Sequence, residues 1–203
     1  MKSLRTWILT GLVILSSSFL HSNPPVIEQQ LSGSLKLITS PKSSPNLAAP
    51  FNEVVVQNVV IPFNVAKIAG RNQLRSTFQW AGKATRGQNV DWSLSGPGEA
   101  FADWNAVPPK FTFDLPFIFN TNGIRLPLRL RFTSEPGSDA FGPTQGSARK
   151  LSDTSADLVL VASTTFIFNT KDLFPDGDNQ RVEFVGRVTF TGKLNAINGN
   201  KLF

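Results

Sequence analysis

Apolar and polar residues alternate with a period of two in the middle of the chain. Every odd position between 111 and 119 is apolar, and so is every even position between 124 and 132. This alternation predicts two β-strands, each with one buried face. Asn122-Gly123 stands between them, and this dipeptide tolerates the two positive φ angles of a type I′ turn. The pattern therefore predicts a β-hairpin with a two-residue loop.

A loop of two residues also fixes the register of the hairpin. Thr121 lies opposite Ile124, which brings all the apolar side chains to one face. On the other face Asp114 is placed opposite Arg131, as a cross-strand pair of opposite charges. That outer face is predicted to carry a basic stripe: Arg125, Arg129 and Arg131.

Prolines and glycines mark interruptions of the sheet. Pro116 and Pro127 lack an N–H group and fall at non-hydrogen-bonded sites, so we expect interrupted pairing or a bulge on both flanks of the hairpin. Pro62 lies in a β-branched run that should end, or form a sheet edge, at that point. Gly186 and Gly192 fall on the inward set of a late strand, where glycine indicates a bulge or a close approach of another backbone.

Similar patterns predict the rest of the fold. Further strands are expected over residues 54–65, 74–84, 91–95, 157–169 and 182–194. Residues 157–169 are apolar on both faces, which is typical of a central strand. Residues 137–153 are rich in Gly, Ser and basic residues and are expected to form a long loop. No amphipathic helix is predicted, so the fold class is all-β, an antiparallel sandwich or barrel of about 7–9 strands.

The N-terminus has the pattern of an export signal. Lys2 and Arg5 precede an apolar run that is shorter than the roughly 20 residues needed to span a bilayer. We therefore predict a signal peptide over 1–22, cleaved after Ser18 or Ser22, with an uncleaved anchor as the alternative. Residues 23–50 are rich in Pro, Ser and Asn and are predicted to be a linker with one early strand around Leu31, Leu35 and Leu37. A single β domain is expected over 51–203.

The amino-acid composition indicates where the protein is located and which partners it has. The chain of 203 residues has 17 Phe, no Cys and no Asn-x-Ser/Thr sequon, which favours a bacterial protein folded without disulfides in the periplasm, in the cell envelope or outside the cell. The formal net charge of +6 is spread along the chain, so it does not indicate a nucleic-acid interface.

Residue usage also excludes several kinds of catalysis. The single histidine, His21, lies in the predicted signal, so the mature chain has no His, Cys or Tyr for a nucleophile system or an imidazole or thiolate metal site. Carboxylate chemistry needs only two acidic residues, and Asp91 and Asp103, each followed by Trp, are the candidates. We expect no enzyme activity and no cofactor.

A calcium loop is the one metal site worth considering. Asp172, Asp176 and Asp178 surround a glycine, but they lack the alternate-position spacing and the distant Glu of an EF-hand loop. A Pro-Asp-Gly turn between the last two strands explains these residues better.

Two groups of side chains are candidates for ligand binding. Trp80, Trp92 and Trp104 recur every twelve residues, and indole faces suit the apolar face of a sugar ring as well as a protein core. Trp104 lies among loop residues and is predicted to be the most exposed. Arg125, Arg129 and Arg131 could contact an anionic polymer, or simply form a solvated strand face.

These observations predict an exported, non-catalytic binding module of the cell envelope or the extracellular space, with polysaccharide or an anionic polymer as its ligand. One alternative is a structural subunit of a surface assembly that uses its sheet edges to pair with neighbours. Another is a barrel that carries an apolar ligand among its inward phenylalanines. No nucleic-acid partner and no membrane span in the mature chain are expected.

Overall fold

The structure is a computed structural model that describes residues 26–42, 53–83, 89–121, 124–169, 171, 176 and 178–203. Thirteen strands occupy most of the described chain. They are β1 (Val26–Pro41), β2 (Glu53–Ile68), β3 (Arg71–Arg75), β4 (Gln79–Lys83), β5 (Asn89–Leu94), β6 (Gly98–Asp103), β7 (Lys110–Thr121), β8 (Ile124–Thr133), β9 (Ser138–Asp139), β10 (Gly142–Pro143), β11 (Ser147–Ser152), β12 (Ser155–Asn169) and β13 (Arg181–Ala196).

Eleven of these strands form one antiparallel sheet. Its order is β11-β12-β13-β1-β2-β3-β6-β7-β5-β4, and β8 pairs with the remaining edge of β7. The predicted all-β antiparallel class is confirmed. The predicted number of 7–9 strands is wrong, because segments expected to be loop or linker form strands and the run 74–84 is divided between β3 and β4.

The sheet curls but does not close. β8 and β12 are far apart in the strand order, yet they lie against each other. No ladder joins β8 to β11 or β12 in the described residues, so the sheet is not a closed barrel. Its apolar face points to one continuous core that includes nine buried phenylalanines: Phe63, Phe111, Phe113, Phe117, Phe119, Phe132, Phe166, Phe184 and Phe190.

The central hairpin has the predicted register. Phe119 pairs with Leu126, Leu115 pairs with Leu130, and the other partners follow the same alignment along β7 and β8. The inner side chains of this hairpin that the structure describes are buried or nearly so. The predicted turn at Asn122-Gly123 lies outside the described residues.

The prolines lie where the pairing changes. β6 pairs with β7 as far as Asp114 and β5 pairs with it from Phe117 onward, so the ladder is interrupted at Pro116 as expected. Pro127 lies on β8, whose outer edge has no paired strand in the described chain. β2 continues past Pro62, but β3 pairs with it only from Asn64, so Pro62 lies beside an open edge.

The predicted linker 23–50 contains a strand of the sheet. β1 pairs along its length with both β13 and β2, and Leu31, Leu35 and Leu37 are buried in the core. The prediction of one early strand is confirmed, but the expected start of the domain near residue 51 is too late. A register shift between Gly33 and Leu35 weakens the strand pattern in the sequence. The predicted signal peptide, residues 1–22, lies outside the described residues.

Two glycines allow β1 and β13 to approach closely on the inner face. Gly33 is the partner of Gly192, and a Cβ atom on Gly33 would lie 2.2 Å from the main-chain oxygen of Thr191. This is the close backbone approach that the sequence predicted at Gly192. Gly186 has a different role, because the ring of Phe166 lies directly over it.

The predicted long loop 137–153 is largely structured. β9 and β10 form a short ribbon, and β11 is an edge strand paired with β12. Arg187 of β13 holds the ribbon through an ion pair with Asp139, a 2.6 Å hydrogen bond to the oxygen of Gly142, and a cation–π contact 5.6 Å from the Phe141 ring centre. The loop prediction failed because this contact joins residues that are 48 positions apart.

The Asp139 carboxylate is nearly buried, with 6% of its side chain exposed. Burial opposes ionisation, but hydrogen bonds from Arg187, from the N–H of Phe141 and from Ser163 outweigh it and lower the pKa of Asp139. The pair therefore stabilises the fold above the usual pKa of Asp, and this contribution is lost as the pH falls through the lower pKa of the folded state.

Asp139→Asn leaves the nearly buried Arg187 without its counter-charge, so we expect the free energy of unfolding at pH 7 to fall by about 3 kcal/mol. Urea unfolding measures the change. The matched control is Asp157→Asn, which breaks the exposed pair with Arg149 and should cost less than about 1 kcal/mol. The difference between wild type and Asp139→Asn should shrink as the pH falls below the usual pKa of Asp and through the lower pKa of the folded state. Equal losses for both variants at pH 7 would contradict this role.

Candidate functional site

The first two of the predicted tryptophans face each other across β4 and β5. Trp80 is the direct partner of Trp92, as the predicted hairpin requires. Trp92 is 1% exposed, and its ring meets Phe117 and Phe119 edge-on at centroid distances of 6.1 and 4.9 Å. Trp80 is half-buried and its ring covers Gly82. Of these two, Trp80 alone has an indole that solvent reaches.

Trp104 is buried, so the expectation that it is the most exposed tryptophan is wrong. It is 8% exposed, and its Nε1–H donates a 2.5 Å hydrogen bond to the main-chain oxygen of Phe203. The Phe203 ring lies between the rings of Trp104 and Phe113, at centroid distances of 6.2 and 5.8 Å. Trp92 and Trp104 are therefore core residues, and a sugar platform built from all three tryptophans is not formed.

The predicted arginine stripe lies on the outer face of β8. Arg125, Arg129 and Arg131 are all exposed. Asp114 is opposite Arg131 in the ladder, but its ion pair is with Arg129, at 2.6 Å between Nε and Oδ1. The hydrogen bond from Arg129 to Asp114, together with the negative charge of this carboxylate, raises the pKa of Arg129. Arg131 makes no ion pair with any residue that the structure describes.

An open cleft of about 550 Å³ lies on the outer face beside this stripe. It crosses β3, β6, β7 and β8. Its lining consists of Gly70, Arg71, Asn72, Glu99, Ala100, Phe101, Thr112, Asp114 and Arg131.

Strand register arranges the floor of the cleft. Glu99 is the partner of Asp114, and Asp114 is the partner of Arg131, so these side chains form one row across three strands. Phe101 and Thr112 are partners in the next outward-facing row. Phe101 is 59% exposed, although most phenylalanines of the described chain are buried.

The acidic residues considered for catalysis and metal binding are not brought together. Asp103 accepts hydrogen bonds from the N–H groups of Asn105 and Ala106, which caps a turn. Asp91 is a half-buried residue of β5. No group of three or more His, Cys, Asp or Glu that could hold a metal ion occurs in the described residues. Asp172 lies outside them, so the calcium prediction is untested.

The interior contains two buried polar side chains for which the described residues provide no partner. Gln29 is fully buried between Phe63 and Ala196, and no described residue forms a hydrogen bond with its Oε1 or its Nε2. The indole N–H of Trp92 likewise has no partner among the residues that the structure describes. Buried polar atoms of this kind cost free energy unless something pairs with them.

Sequence reasoning missed Gln29 and Phe101, although each lies in a readable pattern. Gln29 is at an odd-numbered position of β1, as are the buried leucines Leu31, Leu35 and Leu37. Ala100 and Ala102 mark the inward side of β6, which leaves Phe101 pointing outward. Residues 98–103 lie outside the segments that the sequence predicts to be strands, so the outward position of Phe101 is not predicted.

No family model matches this chain, and no curated protein matches it. Among solved structures, it is similar to a polyisoprenoid binding domain from Saccharophagus degradans implicated in plant cell wall breakdown, with 9% sequence identity and a TM-score of 0.24. The match covers 81% of this chain and 98% of that chain. Among the described residues, no helix is long and apolar enough to cross a membrane.

Proposed function

We propose that this protein is a non-catalytic carrier that holds an apolar ligand against the inner face of its curled sheet. The observation that carries the proposal is the combination of a continuous apolar inner face with two buried polar groups that have no partner among the described residues, Gln29 and the N–H of Trp92. Barrels of about eight strands can enclose one small molecule, and eight strands of this sheet, from β12 to β8 in the order, run around the interior.

The two polar groups define what kind of ligand would fit. Gln29 offers both a donor and an acceptor, and Trp92 offers a donor. A mostly apolar molecule with a hydroxyl, carbonyl or ester group would satisfy one of them while its hydrocarbon part contacts the phenylalanines. Binding would then remove the free-energy cost of an unpaired polar atom in addition to burying apolar surface.

The line between β8 and β12 offers a route into the interior. In the described chain these strands lie side by side without a ladder, so their separation would break no row of main-chain hydrogen bonds. At one end of this line, the N–H of Gly146 donates a 2.8 Å hydrogen bond to the oxygen of Thr133. Widening the remainder would expose leucines of β8, among them Leu128 and Leu130.

The carrier function predicts that the purified full chain retains or takes up an apolar molecule. Native mass spectrometry before and after extraction with organic solvent should show a mass that the solvent removes. The extracted protein should bind a fluorescent fatty-acid probe saturably, and the bound probe should quench the tryptophan fluorescence of the protein. This quenching should be smaller in a Trp92→Phe variant because Trp92 lies in the interior. Trp80→Phe is the matched control and should change the quenching less. An empty extract together with no saturable probe binding would contradict the proposal.

Gln29→Leu tests the unpaired amide directly. Replacing a buried amide that lacks partners by an apolar side chain should raise the free energy of unfolding of the ligand-free protein by about 1 to 3 kcal/mol. The same change should weaken binding of a long-chain alcohol more than that of the corresponding alkane. Gln30→Leu, at the half-buried neighbouring position on the other face, is the control for both measurements. A loss of stability in Gln29→Leu would show that the amide is already satisfied without ligand.

The open edge of β2 favours a second candidate, a subunit of a surface assembly. In the described chain, residues 53–63 pair with β1 on one side and with no strand on the other. Val55 and Val60 of this stretch are 44% and 50% exposed. Open strand edges with apolar neighbours invite pairing with another chain.

Assembly through this edge predicts reversible, concentration-dependent oligomers in sedimentation equilibrium. Val60→Lys should weaken them, because a charge at an exposed strand position disfavours pairing. Val26→Lys, at an exposed valine of β1, is the control. A monomer at every concentration would remove this candidate and leave the carrier function unaffected.

A further inference from the structure

The cleft on the outer face has a lining unlike that of the interior. Arg71, Glu99, Asp114 and Arg131 contribute charged groups, and Phe101 contributes an exposed aromatic ring. Its volume of about 550 Å³ is within the range of ligand sites. Because the lining side chains of β6 and β7 alternate with the buried ones, the cleft is separated from the core by the sheet itself.

We infer that this cleft binds an acidic oligosaccharide, with sugar hydroxyls on its carboxylates, a sugar ring on Phe101 and a sugar carboxylate on Arg131. The site is independent of the proposed interior ligand. It also differs from the tryptophan platform that the sequence suggested, because it uses a phenylalanine that the sequence did not single out.

The spacing of the floor suits an extended carbohydrate. Glu99, Asp114 and Arg131 lie on three neighbouring strands, so the row spans two strand spacings, about 10 Å. Phe101 and Thr112 form the next outward-facing row, which lies about 7 Å from the row of Glu99 and Asp114, measured along the strands. A short oligosaccharide laid across the strands would contact a polar row and an aromatic ring at once.

Each side chain matches a feature of a sugar ring. The face of Phe101 provides the flat apolar surface on which the C–H groups of a pyranose ring pack. Carboxylate oxygens of Glu99 and Asp114 accept hydrogen bonds from hydroxyl groups, and the Thr112 hydroxyl both donates and accepts. An apolar chain would leave these polar groups unpaired, whereas a sugar pairs with them.

The charges favour an acidic sugar. Asp114 is already paired with Arg129 at 2.6 Å, and Arg71 contacts Glu99 at 3.6 Å through largely exposed side chains. Arg131 has no ion-pair partner in the described chain, so its guanidinium is available for a bidentate contact with a carboxylate. Glu99 and Asp114 would repel a ligand with a negative charge on every unit, which argues against a nucleic acid in this cleft and favours an oligosaccharide with a single acidic sugar.

Isothermal titration of the full chain with a trisaccharide that contains one galacturonic acid and two neutral sugars tests the inference. We expect saturable binding that weakens with added salt, and weaker binding of the fully methyl-esterified trisaccharide, which lacks the charge. Arg131→Gln and Phe101→Ala should each lower the affinity about tenfold, since each removes a contact worth about 1.4 kcal/mol or more. Arg125→Gln is the matched control, because it removes the same charge from the same strand outside the cleft.

Three results would overturn the inference. One is the absence of saturable binding to the wild-type chain. A second is an equal loss of affinity in Arg125→Gln and Arg131→Gln, which would indicate diffuse attraction instead of a site. A third is binding of phosphatidylglycerol vesicles that depends on Arg131 when the trisaccharide does not bind, because the partner would then be an anionic lipid surface. Unchanged thermal unfolding of the variants confirms that they are folded, and equal trisaccharide affinity before and after solvent extraction separates this site from the interior one.

Discussion

One wide sheet with a single apolar face can bury that face only by curling around itself, because the described residues provide no second layer to cover it. This constraint explains why β8 and β12 meet although six strands lie between them in the order of the sheet: β13, β1, β2, β3, β6 and β7. It also explains the close crossing of Gly33 and Gly192, where side chains on the inner face would keep the strands apart. Bulges and paired glycines are established ways of bending a sheet.

The curl separates two kinds of chemistry. The inner face is lined by aromatic and aliphatic side chains, and its few polar groups include an amide that no described residue pairs with. The outer face carries charged rows, an ion-paired ribbon and a cleft with one exposed phenylalanine. Because successive residues of a strand point to opposite faces, a single strand such as β7 serves both sides, with Phe113 inward and Asp114 outward.

The structural features that could be predicted best from the sequence are those that depend on residues close together in the chain. The register of β7 and β8 follows from strict alternation and a two-residue loop, so every described pair could be worked out. β1 was only partly recognised, because its pattern is interrupted near Gly33 and its partner β13 lies far away in the chain. Burial of Trp104 could not be predicted, since it depends on Phe203, which is 99 positions distant. The cleft likewise depends on the docking of β6 onto β7, whereas the arginines on its border follow from alternation alone.

The position of β13 in the sheet affects how the chain folds. It is the partner of β1 on one edge and of β12 on the other, so without it the sheet consists of two separate pieces. Residue Gln29 meets Ala196 in this ladder, a contact between distant ends of the described chain. Contacts of such long range slow folding, because a large loop must close before they form. Assembly of the curled sheet is therefore expected to wait for residues 181–196, which join its two pieces into one cooperative unit.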